Sequence, residues 1–598
     1  KMTSTASNDP SSSNEHHAFA VSDNSIVQIV SKKKQDGTGE VVRAVEEFSS
    51  EMVSLSSGNM RRLVMEMHAV YTRSCVLSKD DKLSCTQSVS LSRQYRSVLK
   101  RVYGEGEMSS IWALFETLCF CPAETPLVYD IVVWGQQSSW KATESLERVV
   151  IDSRNSHKPI DEHPQFWNTV AFHLLSCNFS YASTLLDEGS TDEARGRLAM
   201  ALRSFNMQWM MSDDKIVNVE KWMKKLSDNL RNGIFEKNRY VERLVKMMIG
   251  EEEGVSYGAS LMDGEWWLLV PLITLVTLPR ISSSQLSSLV KKCRSYTSPT
   301  PRPSQWDSLF ECILSLDFPQ ALSKLTNHSW IAVHLADLLF NTESVRHDNT
   351  LDLRRMFLRE YGKALFSHSS LWHLGVDYLY NAGTEGIHYL VNLLCVLPVD
   401  TERTAKRALS LAVSLESERA IKTITRTVTM RHLKRKRWAA ALTWSLRDNT
   451  GECLEETTNC ILRCASKSEL ALLDVTEQLG EQLLQCPSLT LVYNLYRFHR
   501  ANEEKRTTTA LQVLIDTLIS PDVPAPFRLQ LFTELLRFLD AGGIQMEQSR
   551  VYDLLDLIKS EYLSEGEEEV VKVLRLRLCE LLSYNLAPRF SLPSVITR

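Results

Sequence analysis

From about Glu46 onward the chain repeats apolar residues every third or fourth position, the spacing of one helical face. The pattern is plain in SRQYRSVLKRVY (92–103), MSSIWALFETLCF (108–120), DLRRMFLREYGKALF (352–366), ERTAKRALSLAVSLES (402–417) and EVVKVLRLRLCELL (569–582). Connections between such stretches are short, SYTSPTPRPS (295–304) being one of the longer breaks. Before Glu46 the texture differs. HAFAV (17–21), SIVQIVS (25–31) and EVVRAV (40–45) are short, rich in β-branched residues and separated by SDN and KKKQDGTG. They predict two or three strands joined by turns. Residues 1–16, Ser-rich and almost without apolar side chains, predict disorder.

One internal repeat defines the architecture. WNTVAFHLLSCNFSYASTLL, from Trp167, aligns with WDSLFECILSLDFPQALSKL, from Trp306, at Trp167/Trp306, Leu174/Ile313, Asn178/Asp317, Phe179/Phe318 and Ala182/Ala321. This spells helix, polar turn, helix, with a small Ala admitting the second helix closely. Stacked pairs of this kind build an α-solenoid, and a single clear match predicts an irregular one. The expected fold is therefore mainly α, with a short β segment at the N-terminus. WWLLVPLITLVTL (266–278) is too short to span a bilayer and predicts a buried helix.

The strands are left over. Two or three short strands have too little surface to stand alone, and their edges would expose unpaired backbone groups. They pack across the solenoid, join another protein's sheet by strand addition, or stay disordered.

Composition narrows the function classes. The 598 residues are 43% hydrophobic and 24% charged, with net charge −5, so no global basic field points to nucleic acid or anionic lipid. Thirteen cysteines include no CxxC; Cys119/Cys121 and Cys460/Cys464 lack zinc-ligand spacing, and reduced thiols of a cytosolic or nuclear protein are expected. The first residues lack the apolar core of a signal peptide.

Three clusters invite a chemical reading. In SLWHLGVDYLYNAGTEGIHYL (370–390), His373 and Asp377 share one helix face, with His368 and His388 nearby, the elements of a metal site or of a base with its orienting carboxylate. The surrounding residues are apolar on nearly every side, which favours a buried helix where His373 and Asp377 satisfy each other or nearby backbone, Gly375 admits a neighbouring helix and NAG stops the helix. TMRHLKRKRW (429–438) is a basic run, Arg431 to Arg437, of the sort used for nuclear import or RNA; the plainer reading is a solvated helix face before Trp438, Leu442 and Ser445 turn inward. SEGEEE (564–569) complements the N-terminal dipole of the helix that follows. The phosphate-binding loops, HExxH and GxSxG are absent from the sequence. No cofactor or metal is expected.

Six stretches in order carry a resemblance: SRQYRSVLK (from Ser92), FWNTVAFHLL (Phe166), WIAVHLADLL (Trp330), SLWHLGVDYL (Ser370), AALTWSLRD (Ala440) and LYRFHRANEEKR (Leu495). Over Ser92 to about Leu536 the chain resembles the nucleoporin-85 family, scaffold subunits of the Y-shaped outer-ring complex of the nuclear pore. The resemblance implies a non-enzymatic scaffold with the ancestral coatomer element, an irregular solenoid folded back as trunk and crown and followed by a tail. It implies strands that complete, in trans, the open β-propeller of a small WD-repeat nucleoporin. It also implies a tail that binds other Y-complex nucleoporins, a nuclear-envelope location, and a part in mRNA and protein transport.

On that reading 17–45 is the donated blade, 46–430 trunk and crown, and 431–598 the tail module. Ile26, Val27, Ile29, Val30, Val41 and Val42 are the apolar pairing residues of the blade. No direct nucleic-acid contact and no transmembrane segment are expected. The rival readings are a vesicle-coat or tethering solenoid, a metal-dependent enzyme around His368, His373, Asp377 and His388, and an RNA binder through Arg431 to Arg437.

Overall fold

Helix follows helix from Gly58 to Leu586 in the computed structural model, and the local reasons are legible in the residues. The structure describes 15–22, 25–32, 42–45 and 58–586, apart from short stretches at 80–81, 105, 121–124, 157–159, 188–191, 263–264, 298–305, 326–327, 343–349, 449, 522, 524, 542–545 and 561–567. Residues 1–14, within the segment expected to be disordered, lie outside the described residues, as does most of the acidic stretch 564–569.

At backbone level the N-terminal segments form an antiparallel sheet of order β1 (Glu15–Ser22), β2 (Ser25–Lys32), β3 (Val42–Val45). Three helices follow: α1 (Gly58–Leu77), α2 (Cys85–Tyr103) and α3 (Glu107–Phe115). A capping box starts α2, with Ser84 accepting from the Gln87 amide and the Gln87 side chain returning to the Ser84 amide. Gly104, at φ 79°, ends it. A π-helical turn, Glu116–Phe120, then extends α3.

The internal repeat is helix–turn–helix in both copies: Phe166–Leu175 with Phe179–Asp187, and Asp307–Leu314 with Phe318–Lys324. Leu174, Leu175, Phe179, Ala182 and Leu186, and their counterparts Ile313, Leu314, Phe318, Ala321 and Leu325, are buried. The turns share a backbone signature. Cys177 and Leu316 both have positive φ, and the next amide reaches back five residues, Asn178 to the His173 carbonyl and Asp317 to that of Cys312. This is a Schellman ending with a non-glycine residue in the left-handed position. It recurs at Glu416, Lys436 and Lys505, where the amides of Ser417, Arg437 and Arg506 close on Ala412, His432 and Ala501. The repeat unit is thus more frequent in the backbone than in the residue pattern.

The chain divides into two compact units, residues 1–389 and 390–598. Position 430/431, where the tail is expected to start, lies inside the helix Glu418–Lys434. The first unit has its own core, in which WWLLVPLITLVTL forms a 3-10 turn, Trp266–Leu269, leading into the helix Val270–Thr277. Trp267 stacks on Phe310 at 4.3 Å, and Trp134 lies against both. Each such indole removes on the order of 200 Å² from water, roughly 5 kcal/mol of gross apolar transfer. The second unit has a separate core, built around Trp438, Leu489, Val492, Leu514, Leu535 and Leu574.

Candidate functional site

The helix Trp372–Asn381 is the place where the sequence asked most directly for chemistry. Asp377 does bind a histidine, but it is not His373. His68 of α1 donates from Nε2 to Asp377 Oδ2 at 2.8 Å, across 309 positions of sequence. His373 lies edge-on to Trp372 instead. To the expectation that His373 and Asp377 satisfy each other or nearby backbone groups, the structure adds a distant partner for Asp377, His68 of α1. Helical spacing sets which residues share a face, and tertiary packing brought a nearer donor. His368 is engaged locally with Ser370, and His388 is exposed. Among the described residues no group of three His, Cys, Asp or Glu is placed to hold a metal ion.

Around this pair, α1 and α2 pack on residues that come 254 to 309 positions later. Ser74 donates to Asp337, Asn381 donates to the Cys75 sulfur at 3.5 Å, and Ser88 meets Thr342 at 3.0 Å. Tyr71 stacks on Tyr378 with ring centroids 4.3 Å apart, and Tyr361 meets Tyr378 edge-on at 5.0 Å. The first unit therefore folds back on itself, and this cluster fastens the return.

The charges in the cluster are arranged as burial requires. His334, fully buried, bonds the Trp330 carbonyl through Nδ1 and faces the Tyr378 hydroxyl with Nε2 at 3.0 Å. A carbonyl accepts only, so Nδ1 carries the proton and Nε2 accepts from Tyr378. Burial pushes His334 down to about 4, so it is neutral at physiological pH. Asp337, also fully buried, pairs with Arg354 at 2.8 Å. Burial, with Asp337 nearby, pushes the Cys75 thiol up to about 12, which leaves it unreactive.

The other stretches that carry the resemblance do similar work within their units. Ser92 donates to Glu116 at 2.8 Å and accepts from the Trp112 indole at 3.0 Å. Arg195 lies over Phe166 and donates to Asp161 at 2.8 Å. The Trp444 indole donates to Glu402, and Arg447 covers its ring. Tyr496 and Arg500 both bind Glu477 at 2.8 Å. These are joints between helices, not reacting groups. WIAVHLADLL held the missed signal: a His and an Asp, His334 and Asp337, inside an apolar run.

The basic run closes one helix and opens another. Arg431 binds the Val399 carbonyl, His432 and Leu433 are buried, and residues 434–437 are exposed around the turn at Lys436. Trp438, Leu442 and Ser445 then face inward, as the plainer reading expects.

Of the residues expected to pair in a donated blade, Ile26, Val27, Ile29 and Val30 stand on β2, opposite Val21, Ala20, Ala18 and His17 of β1. Val42 of β3 pairs with Ser31, and Val41 lies outside the described residues.

The family profile described as Nup85 Nucleoporin matches residues 44–560. The human protein named Nuclear pore complex protein Nup85 (Homo sapiens) is 24% identical over 596 residues, 90% of this chain and 89% of its own. The Danio rerio protein of that name is 25% identical, covering 85% and 84%. Nuclear pore complex protein Nup75 of Drosophila melanogaster is 23% identical, covering 81% and 78%. The profile spans every helix that bears the six stretches, and its family is one of structural nucleoporins, not of enzymes. The chain belongs to the Nup85 nucleoporin family.

Proposed function

We propose that this nucleoporin is a scaffold subunit of the Y-shaped outer-ring complex and serves mRNA and protein transport through the pore. As a member of its family it is a component of the nuclear pore complex at the nuclear envelope. Its N-terminal strands, 17–45, complete the open propeller of a small WD-repeat nucleoporin. Residues 46–430 form trunk and crown, and 431–598 the tail module that binds other Y-complex subunits.

The observation that carries the reading is the β1–β2–β3 meander ahead of an otherwise helical chain. A propeller blade is a four-stranded sheet, and a three-stranded meander is nearly one. Positions 26, 27, 29 and 30 of the middle strand are all apolar, the composition of a strand covered on both faces, as within a propeller. A meander whose two edges are unpaired among the described residues gains that pairing from such a partner.

A pull-down of the WD-repeat nucleoporin with the full chain, and with a version starting at Glu46, tests it. Capture by the full chain and not by the shortened one is the expected result. Equal capture by both removes strand donation and moves the propeller site onto the helices.

A further inference from the structure

The first two helices of the solenoid carry a charge unlike that of the chain as a whole. Across α1 and α2, seven Lys and Arg side chains stand against a single carboxylate, Glu66, in a protein of net charge −5. Between the two helices runs an open groove of about 750 Å³. Val70, Val89 and Val98 form its floor, and Arg73, Arg93 and Arg101 stand along it.

The acids nearest these arginines are already shared. Glu66 takes Arg62 at 2.7 Å and Arg101 at 3.0 Å, while Glu116 takes Arg96 at 3.3 Å and Arg93 only at 3.9 Å. Arg73 is held by the neutral amide of Gln94 at 2.9 Å. Two carboxylates thus serve four guanidinium groups, and an amide serves a fifth. Arg93, Ser97 and Arg101 follow one another at four-residue spacing, so the basic rail runs parallel to the axis of α2. From Thr86 to Arg101 the groove follows α2 for about four turns, roughly 22 Å, the length of a helix of about fifteen residues.

We propose that this groove docks an acidic amphipathic helix of a partner protein. The apolar stripe of the helix lies on the valine floor, and its carboxylates meet Arg73, Arg93 and Arg101, whose planar forks match them. Charge complementarity selects the occupant. An apolar floor suits a side-chain stripe, and the lining holds no aromatic ring on which a nucleic-acid base would stack. The surface belongs to neither the strand segment nor the second unit, so it is a separate attachment point.

The test is fluorescence anisotropy on the full chain, with three labelled probes. One is an 18-residue designed helix with Glu on one face and Leu on the other, the second is the same helix with Ser for Leu, and the third is a 20-nucleotide poly-U RNA. The expected result is saturable micromolar binding of the first probe. Its affinity falls at least tenfold in the Arg73→Glu/Arg93→Glu variant and also in Ala69→Trp, which fills the groove without changing charge. Circular dichroism confirms that both variants keep the helical content of the parent. The proposal is overturned if the first probe does not saturate by 200 µM, if the Ser-substituted helix binds equally, or if neither variant weakens binding. Tighter binding of the RNA, lost in the same arginine variant, would reassign the surface to nucleic acid.

Discussion

Gly375 faces Gly362 so closely that a Cβ on Gly375 would stand 2.5 Å from the Gly362 carbonyl oxygen and 2.7 Å from the Phe366 amide nitrogen. The helices Thr350–Ser367 and Trp372–Asn381 therefore touch backbone to backbone, which sets Tyr361 against Tyr378 and Asp377 within reach of His68. Gly375→Ala must push backbone, not a flexible side-chain tip. It is expected to destabilise the first unit by about 2–4 kcal/mol, read by urea unfolding. Gly196 is the control: a Cβ there meets nothing within 4 Å, so Gly196→Ala in its helix stabilises by about 0.5–1 kcal/mol. Equal effects at the two sites would rule out close approach as the cause.

Two aspartates forty positions apart should respond very differently to removal. Asp377 is about half exposed and pairs with His68, so Asp377→Ala costs less than about 1 kcal/mol. Asp337 is fully buried beside Arg354, and Asp337→Ala leaves that guanidinium without its counter-ion, at about 3–5 kcal/mol. Paired denaturation curves decide; a larger loss at Asp377 would mean that the half-exposed pair with His68, not the buried pair of Asp337 with Arg354, carries the fold-back.

Acid should loosen both units. Burial holds His173, His334 and His499 at about 4, well below their value in the unfolded chain. Their folded pKa values are depressed, so between about pH 6.5 and 4 the unfolded state takes up protons that the folded state refuses. Their stabilisation is fully present above pH 6.5 and is lost as pH falls, by about 1.4 kcal/mol per pH unit for each histidine. Urea midpoints at pH 7.5, 6.5, 5.5 and 4.5 should decline accordingly. His334→Gln should lower stability at pH 7.5 yet flatten the decline of the first unit; an unchanged slope would acquit His334.

The left-handed endings offer a stabilising change. Lys436 and Lys505 are exposed and adopt φ of 53° and 59°, where a Cβ is costly. Lys505→Gly relieves that cost while giving back some unfolded-chain entropy, for a net gain of up to about 1 kcal/mol. Thermal melts of Lys505→Gly and Lys436→Gly should both rise; a fall in both would show that the lysine side chains themselves stabilise the turns.

Much of this was legible in the residues. The three- and four-residue apolar period determined the helices, because a helix buries one stripe whatever its neighbours are. The pairing of Asn178 with Asp317 and of Ala182 with Ala321 determined the helix–turn–helix unit, and Gly375 announced a close neighbour. The turns at Glu416, Lys436 and Lys505 were hidden, since a left-handed residue that is not glycine leaves no mark on composition.

The tertiary structure alone decided who meets whom. His373 and Asp377 stand one turn apart, yet the partner of Asp377 is His68, 309 positions away. His334 and Asp337 look like impurities in an apolar run until Tyr378 and Arg354 arrive beside them. Spacing along a helix fixes direction, whereas a hydrogen bond needs its partner within about 3 Å, and only the packed chain supplies that distance.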